Sequence, residues 1–178
     1  LEASNALMDK DRDRARDALT RAISEAQNCL EETRKSMREL RSNELKEAVG
    51  LQAIAHLARS FSEATGMEIQ VEYGNAPDSF GRALDLILFR IIQEGLTNSF
   101  RHGMAGLVRI SLWVEDPCLL VTILDNGKST PTIVEGVGIS GMRERVENFG
   151  GDIEFLNQLD GFKVKVRLPL PEGIHEQD

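Results

Sequence analysis

Arg90-Ile-Ile-Gln-Glu-Gly-Leu-Thr-Asn-Ser-Phe-Arg-His102 decides the reading of this chain. It makes the second half of a helix that begins near Gly81 and ends at Gly103. Leu84, Leu88, Ile91 and Gly95 recur at steps of four, three and four, the spacing of one buried helical face. Glu94, Asn98 and His102 recur at steps of four on another face, with Arg101 beside them. That line offers a carboxylate, an amide oxygen and two groups able to meet phosphate. Gly95 and Asn98 are poor choices inside a helix: glycine costs about 1 kcal/mol against alanine, and asparagine somewhat less. Such positions invite a second purpose, set against the plain alternative of a solvated polar face.

On the C-terminal side, Leu107 to Val114 alternates as a strand, Asp116-Pro117 turns the chain, and Leu119 to Leu124 is a second apolar strand. Asp125-Asn-Gly127 ends it, and Lys128 to Glu135 reads as a short loop. Gly138 to Phe149 is a helix stopped by Gly150-Gly151. Ile153 to Leu156 and Phe162 to Leu168 pair through the Asp160-Gly161 hairpin. On the N-terminal side, Glu44 to Thr65 is helical, Gly66 stops it, and Met67 to Tyr73 alternates as a half-buried strand. Residues 44–172 therefore predict an α/β domain: a two-layer α/β sandwich, with helices on one face of a mixed sheet. A polar tail, residues 173–178, follows.

The first 49 residues hold no glycine and no proline. Leu19, Ile23, Ala26, Leu30, Thr33, Met37 and Leu40 alternate steps of four and three, the seam of a coiled coil or bundle. Residues 1–43 thus predict a long coiled-coil-like helix that precedes the sandwich. Its seam needs a partner, which implies a homodimer through this N-terminal helix.

The totals narrow the function. A net charge of −8 and a pI near 5.0 argue against a nucleic-acid partner. Cys29 and Cys118 match no metal-ligand spacing and read as reduced, buried thiols of a cytoplasmic protein. No apolar run approaches the roughly 20 residues of a membrane span, so no membrane contact by this chain is expected. A longer, membrane-anchored parent stays compatible with that reading.

Three segments carry candidate chemistry. Glu94 and Asn98 supply hard oxygens, and Mg²⁺ takes one or two such protein ligands plus phosphates and waters. Asp125, at a buried strand end, can accept a hydrogen bond from an exocyclic amine, and Gly127 lets a flat ring approach the backbone. Gly136, Gly138 and Gly141 open a helix whose free N–H groups and positive end suit phosphate. Each has a bland reading: Asp-Asn-Gly is a common turn, and a Gly-x-Gly-x-x-Gly pattern alone is weak. A dinucleotide unit is excluded here because only a hairpin and a tail follow. His56 and His175 read as incidental.

The order of the three segments resembles the GHKL (Bergerat) ATP-binding domain of sensor histidine kinases, with the NarL/DesK-type branch most similar. Gln93 to His102 resembles its N-box, Asp125-Asn-Gly127 its first glycine box, and Gly136 to Val146 its second. Met8 to Arg41 is similar to the turn and second helix of that branch's dimerisation and phosphotransfer hairpin. The resemblance implies ATP and Mg²⁺ as cofactors. It implies that Asn98 holds the metal, with Glu94 beside it as ligand or catalytic base. Arg101 and His102 would face the phosphates, Asp125 would read the adenine amine, and Gly127 would lie beneath the ring. Gly136, Gly138 and Gly141 would shape the lid and the phosphate end. The implied activity is transfer of the ATP γ-phosphate to a histidine and then to a NarL-like response regulator. A GHKL Ser/Thr kinase of the anti-sigma type and a non-catalytic ATP-dependent interaction module are the rivals.

Three departures stand out. Ser129 replaces a glycine common in relatives, which bears on lid flexibility. Phe162 stands where a threonine is common, which implies the loss of one water-bridged adenine contact. No histidine precedes His56, so the family's phosphoacceptor is not in this chain. The chain is expected to bind Mg²⁺–ATP without phosphorylating itself.

Overall fold

The structure, a computed structural model, describes residues 50–128 and 136–171. The Leu19 to Leu40 seam, the start of the helix expected from Glu44, Cys29, Ser129, His175 and the 173–178 tail lie outside the described residues.

The described elements run α1 (Gly50–Thr65), β1 (Glu68–Glu72), α2 (Arg82–Asn98), β2 (Leu107–Glu115), β3 (Cys118–Asp125), α3 (Val137–Asn148), β4 (Asp152–Gln158) and β5 (Gly161–Pro169). The five strands make one sheet in the order β1-β2-β3-β5-β4. β1 runs parallel to β2, and every other pair is antiparallel. This is the mixed-sheet, two-layer α/β sandwich that the sequence pattern predicts.

Period-two alternation sorts the sheet into two faces. Val108, Ile110, Leu112 and Val114 of β2 are buried, and they pair with Asp125, Ile123, Val121 and Leu119 of β3. Val164, Val166 and Leu168 of β5 extend the same face. Leu84, Leu88, Ile91 and Ile92 of α2 are fully buried in the same core. The other face carries Arg109, Trp113, Lys163, Lys165 and Arg167, and Trp113 is 44% exposed. Cys118 begins β3 on this open side and is half-buried, a correction to the buried thiol expected. Strand alternation explains it: Leu119 takes the inward position and Cys118 the outward one.

The glycine inside α2 has a packing cause. A Cβ on Gly95 would come within 2.7 Å of Ile123 Cδ1, so the missing side chain lets α2 lie close on β3. Asn98 is the last residue of the α-helix proper. A π-helical turn, Ser99–Gly103, continues the chain where an α-helix to Gly103 was expected. Its Phe100 packs edge-on to Phe61 of α1, with ring centroids 6.3 Å apart.

Asp85 ties the two ends of this layer together. It is buried in the first turn of α2, where a carboxylate suits the helix dipole. Its Oδ2 accepts from Gly50 N at 2.9 Å and Ser79 Oγ at 2.6 Å, and its Oδ1 accepts from Phe80 N at 2.9 Å. Asp85→Asn turns an NH₂ toward at least one of these donors. Chemical denaturation is expected to show a loss of about 2 kcal/mol, the scale of a charge-assisted bond broken inside.

Candidate functional site

The second half of α2 sets the first part of the site. Glu94 and Asn98 stand one helical turn apart and both are half-buried. Gly138, in the first turn of α3, is pressed against them. A Cβ placed on it would overlap Glu94 Oε1 and lie 3.6 Å from Asn98 Nδ2. With a side chain at 138, the Glu94 carboxylate would have to swing aside from the start of α3. Gly136 is the exposed N-cap residue of α3, and no side chain caps the helix there. The uncapped positive end of α3 therefore begins beside one carboxylate and one amide. Gly141 is placed differently: its near neighbour is Arg145, whose Nη1 donates to the Gly141 carbonyl at 2.6 Å.

The second part lies at the end of β3. Asp125 is only 5% exposed. Its Oδ1 accepts from Gly127 N at 2.9 Å and Phe162 N at 3.1 Å, and its Oδ2 accepts from Ser99 Oγ at 2.7 Å. A carboxylate offers about four lone-pair sites, so these bonds leave room for about one more donor, on Oδ2. Gly127 packs on Gly103, where a Cβ would strike the Gly103 carbonyl. Gly103 in turn faces the carboxylate, since its own Cβ would lie 3.6 Å from both Asp125 oxygens. Lys128 N donates to Gly103 O at 2.7 Å and closes the turn. The two glycines thus clear a strip of bare backbone next to a charged acceptor.

Ser99 joins the two parts. It follows Asn98 in the chain, is buried, and holds Asp125 through its hydroxyl. The Glu94–Asn98–Gly138 group and the Asp125–Gly127–Gly103 group are therefore linked through Ser99. Arg101 and His102 are exposed on the π-helical turn. The wider turn carries His102 off the step-of-four line that Glu94 and Asn98 share.

The sequence reading gives no role to Ser99, Gly103 or Gly161, and none to Asn126 beyond its place in the Asp-Asn-Gly segment. Ser99 has a signal in the sequence: a small polar residue one place beyond Asn98. Asn126 Oδ1 accepts from Gly106 N at 3.0 Å and Leu107 N at 2.9 Å, fixing the Asp-Asn-Gly turn against the start of β2. The sequence marks Gly161 only as a hairpin residue. Its φ is +126°, and a Cβ there would collide with the Asp125 carbonyl.

A sheet backed by helices, a buried carboxylate beside bare glycine backbone, and a helix start facing an acid–amide pair make an α/β domain with a candidate site at one end of its sheet. Residues 84–172 match the family described as histidine kinase-, DNA gyrase B- and HSP90-like ATPase, and the chain belongs to that family. It is 32% identical over 157 residues to sensor histidine kinase YxjM of Bacillus subtilis, covering 87% of this chain and 38% of that protein. It is also 32% identical over 139 residues to the signal transduction histidine-protein kinase/phosphatase UhpB of Salmonella typhimurium, covering 76% of this chain and 28% of that one. The chain spans well under half the length of these relatives. Among solved structures, the blue-light activated histidine kinase EL346 of Erythrobacter litoralis superposes with a TM-score of 0.65 at 20% identity, over 78% of this chain and 55% of that chain. The Acinetobacter baumannii histidine kinase AdeS gives 0.56 at 15% identity, over 68% and 66%. These two likenesses speak for the fold. No helix among the described residues is long and apolar enough to cross a membrane.

Proposed function

We propose that this chain is the ATP-binding catalytic portion of a two-component sensor histidine kinase of the NarL/DesK type. Residues 44–172 would be the catalytic domain, and residues 1–43 part of the dimerisation and phosphotransfer hairpin of a homodimer. The observation that carries the reading is the Ser99–Asp125 bond of 2.7 Å, which couples an adenine-type acceptor to the residue next to Asn98. The open lone pair of Asp125 suits an exocyclic amine, and the bare backbone of Gly127 and Gly103 suits a flat ring. The acid–amide pair at the start of α3 suits a metal-bound triphosphate.

Among the described residues there is no group of three or more His, Cys, Asp or Glu side chains able to hold a metal. A Mg²⁺ would then depend on Asn98, Glu94 and the phosphates, which is the usual economy of that ion. When bound it would neutralise phosphate charge. The chain's own residues would do the rest. Asp125 and Gly127 would fix the base, Gly136 and Gly138 would turn backbone N–H groups to the phosphates, and Gly141 would let the helix follow closely. Arg101 and His102 would add positive character at the rim. Glu94 would orient the incoming imidazole or accept its proton. The γ-phosphoryl group would leave the β–γ bridging oxygen, with ADP as leaving group, and bond to an imidazole nitrogen. It would pass next to an aspartate of a response regulator. Positioning and charge neutralisation supply most of the acceleration in such transfers.

The test uses the full chain with radiolabelled ATP and a supplied hairpin that bears the histidine. Acid-labile, base-stable label on the hairpin is expected. Glu94→Gln should cut the transfer rate about 100-fold, the size of a lost acid–base group. Acid-stable label on a supplied serine-bearing antagonist would favour the anti-sigma type of kinase instead. ATP binding with no transfer to either acceptor would favour a non-catalytic module.

A further inference from the structure

The sheet face turned away from α1, α2 and α3 has a pattern of its own. On β3, Leu120, Thr122 and Leu124 take the outward positions and are half-buried. They make a low, mostly apolar floor. Register places Lys163, Lys165 and Arg167 of β5 along one side of this floor, and Arg109 and Trp113 of β2 along the other. One strand further out the charge changes sign, with Glu72 on β1 and Asp152 and Glu154 on β4. A sheet face that only meets water is expected to be polar in every outward position. This one keeps two leucines at its centre and a tryptophan 44% exposed at its side. Trp113 is also held in place. A Cβ on Gly74 would come within 2.7 Å of Trp113 Cδ2, so the indole lies against bare backbone at a glycine with φ +52°. Tryptophan is enriched among the residues that anchor protein partners.

We propose that this strip docks an acidic amphipathic helix of a partner protein. Neighbouring strands lie about 4.8 Å apart, so β2 to β5 spans about 10 Å, the width of one helix. From Arg109 to Trp113 the strand runs about 13 Å, the length of two to three helical turns. The partner helix would lay its apolar stripe on Leu120 and Leu124, against Trp113, and turn its acidic flank to the β5 cations. Those cations are balanced on their outer side only, where Lys165 stands opposite Glu154 and Arg167 opposite Asp152. The acidic outer strands also choose between partners. A single helix fits between them, whereas a flat anionic bilayer would meet Glu72, Asp152 and Glu154 together with the cations. The chain as a whole carries −8, so the basic strip is a local exception to its charge. The proposal is independent of the ATP-site reading, since it uses the opposite face of the sheet from α2 and α3.

Trp113 is the one tryptophan of the chain, so its emission reports on this face alone. The test titrates the full chain with a stapled helical peptide of about 15 residues that lacks tryptophan. The peptide carries leucines on one face and glutamates on the flank, and a second peptide has lysines in place of the glutamates. The acidic peptide is expected to move Trp113 emission to shorter wavelength in a saturable way, with an affinity that falls as salt is raised. The basic peptide should bind at least about tenfold more weakly. The double variant Lys165→Glu with Arg167→Glu, checked for folding by thermal melting, should reverse that order. If the variant fails to fold, the two peptides on the wild type decide alone. Unmoved emission with the acidic peptide, or equal binding of both peptides, would overturn the proposal. So would an equal shift with phosphatidylserine vesicles, which would give the face to a membrane. Emission that changes with protein concentration alone would give it to a second copy of the chain and overturn the proposal as well.

Discussion

Asp125→Ala is expected to lose ATP binding by at least about 100-fold, near 2.7 kcal/mol, and to lower stability by about 3 kcal/mol. Both effects have one origin. The carboxylate holds Ser99 Oγ, Gly127 N and Phe162 N, so its removal leaves three inward-facing donors without their acceptor. A buried donor left without a partner costs about 1–3 kcal/mol, and neighbouring losses do not add in full. A typical domain has only about 5–15 kcal/mol to lose. Asp125→Asn separates the two effects. Its amide oxygen can keep the Gly127 and Phe162 bonds, and Ser99 Oγ can rotate to accept from the new NH₂. The stability loss should shrink to about 1 kcal/mol. The open lone pair, however, becomes a donor facing another donor, so ATP binding should remain about 100-fold weak. Calorimetric titration beside urea denaturation reads both numbers. An Asp125→Asn protein that binds ATP normally would remove this carboxylate from the site.

Gly161→Ala is expected to destabilise the fold by about 4 kcal/mol. Two penalties meet at one atom. The backbone has φ +126°, which L-residues rarely adopt, and the new Cβ would be driven into the Asp125 carbonyl. Neither neighbour can yield cheaply, because the obstacle is main chain inside a sheet. Any relief must move the end of β3 away from the start of β5, and with it the Asp125 carboxylate from Phe162 N. Nucleotide affinity should therefore fall along with stability. Gly136→Ala is the fitting control: a Cβ there meets nothing within 4 Å, and φ is −85°. It should melt within a few degrees of the wild type. A Gly161→Ala protein as stable as that control would show that β3 and β5 do not approach as described.

The layer architecture was readable because it rests on periodicity. The alternation from Leu107 to Val114 and from Leu119 to Leu124, and the α2 face of Leu84, Leu88 and Ile91, each reports one buried side. The strand order was not readable. β3 beside β5 and a parallel β1–β2 pair are long-range choices that local pattern does not encode. Gly95 shows a different gap. The sequence marked it as an expense inside a helix, but its cause, the Ile123 side chain, lies 28 residues away, at position 123 against 95. The chain end of α2 shows a third. Steps of four carried the polar line on to His102, whereas the backbone switches to a π-helical turn at Ser99 and brings the serine, not the histidine, onto Asp125. Candidate site residues were legible where residue chemistry is unusual for its setting, as at Glu94, Asn98 and Asp125. They were hidden where the contribution is a backbone N–H or an absent side chain, as at Phe162, Gly103 and Gly161.

One pocket for a metal-bound adenine nucleotide, spanning from Asn98 to Asp125, is the claim on which the functional reading depends. A crystal structure of the full chain with ADP and Mg²⁺ tests it most directly. The account predicts the adenine amino group within hydrogen-bonding distance of Asp125 Oδ2 and the ion on the Asn98 side-chain oxygen. An adenine ring seated elsewhere, with Asp125 bonded only to Ser99, Gly127 and Phe162, would contradict it.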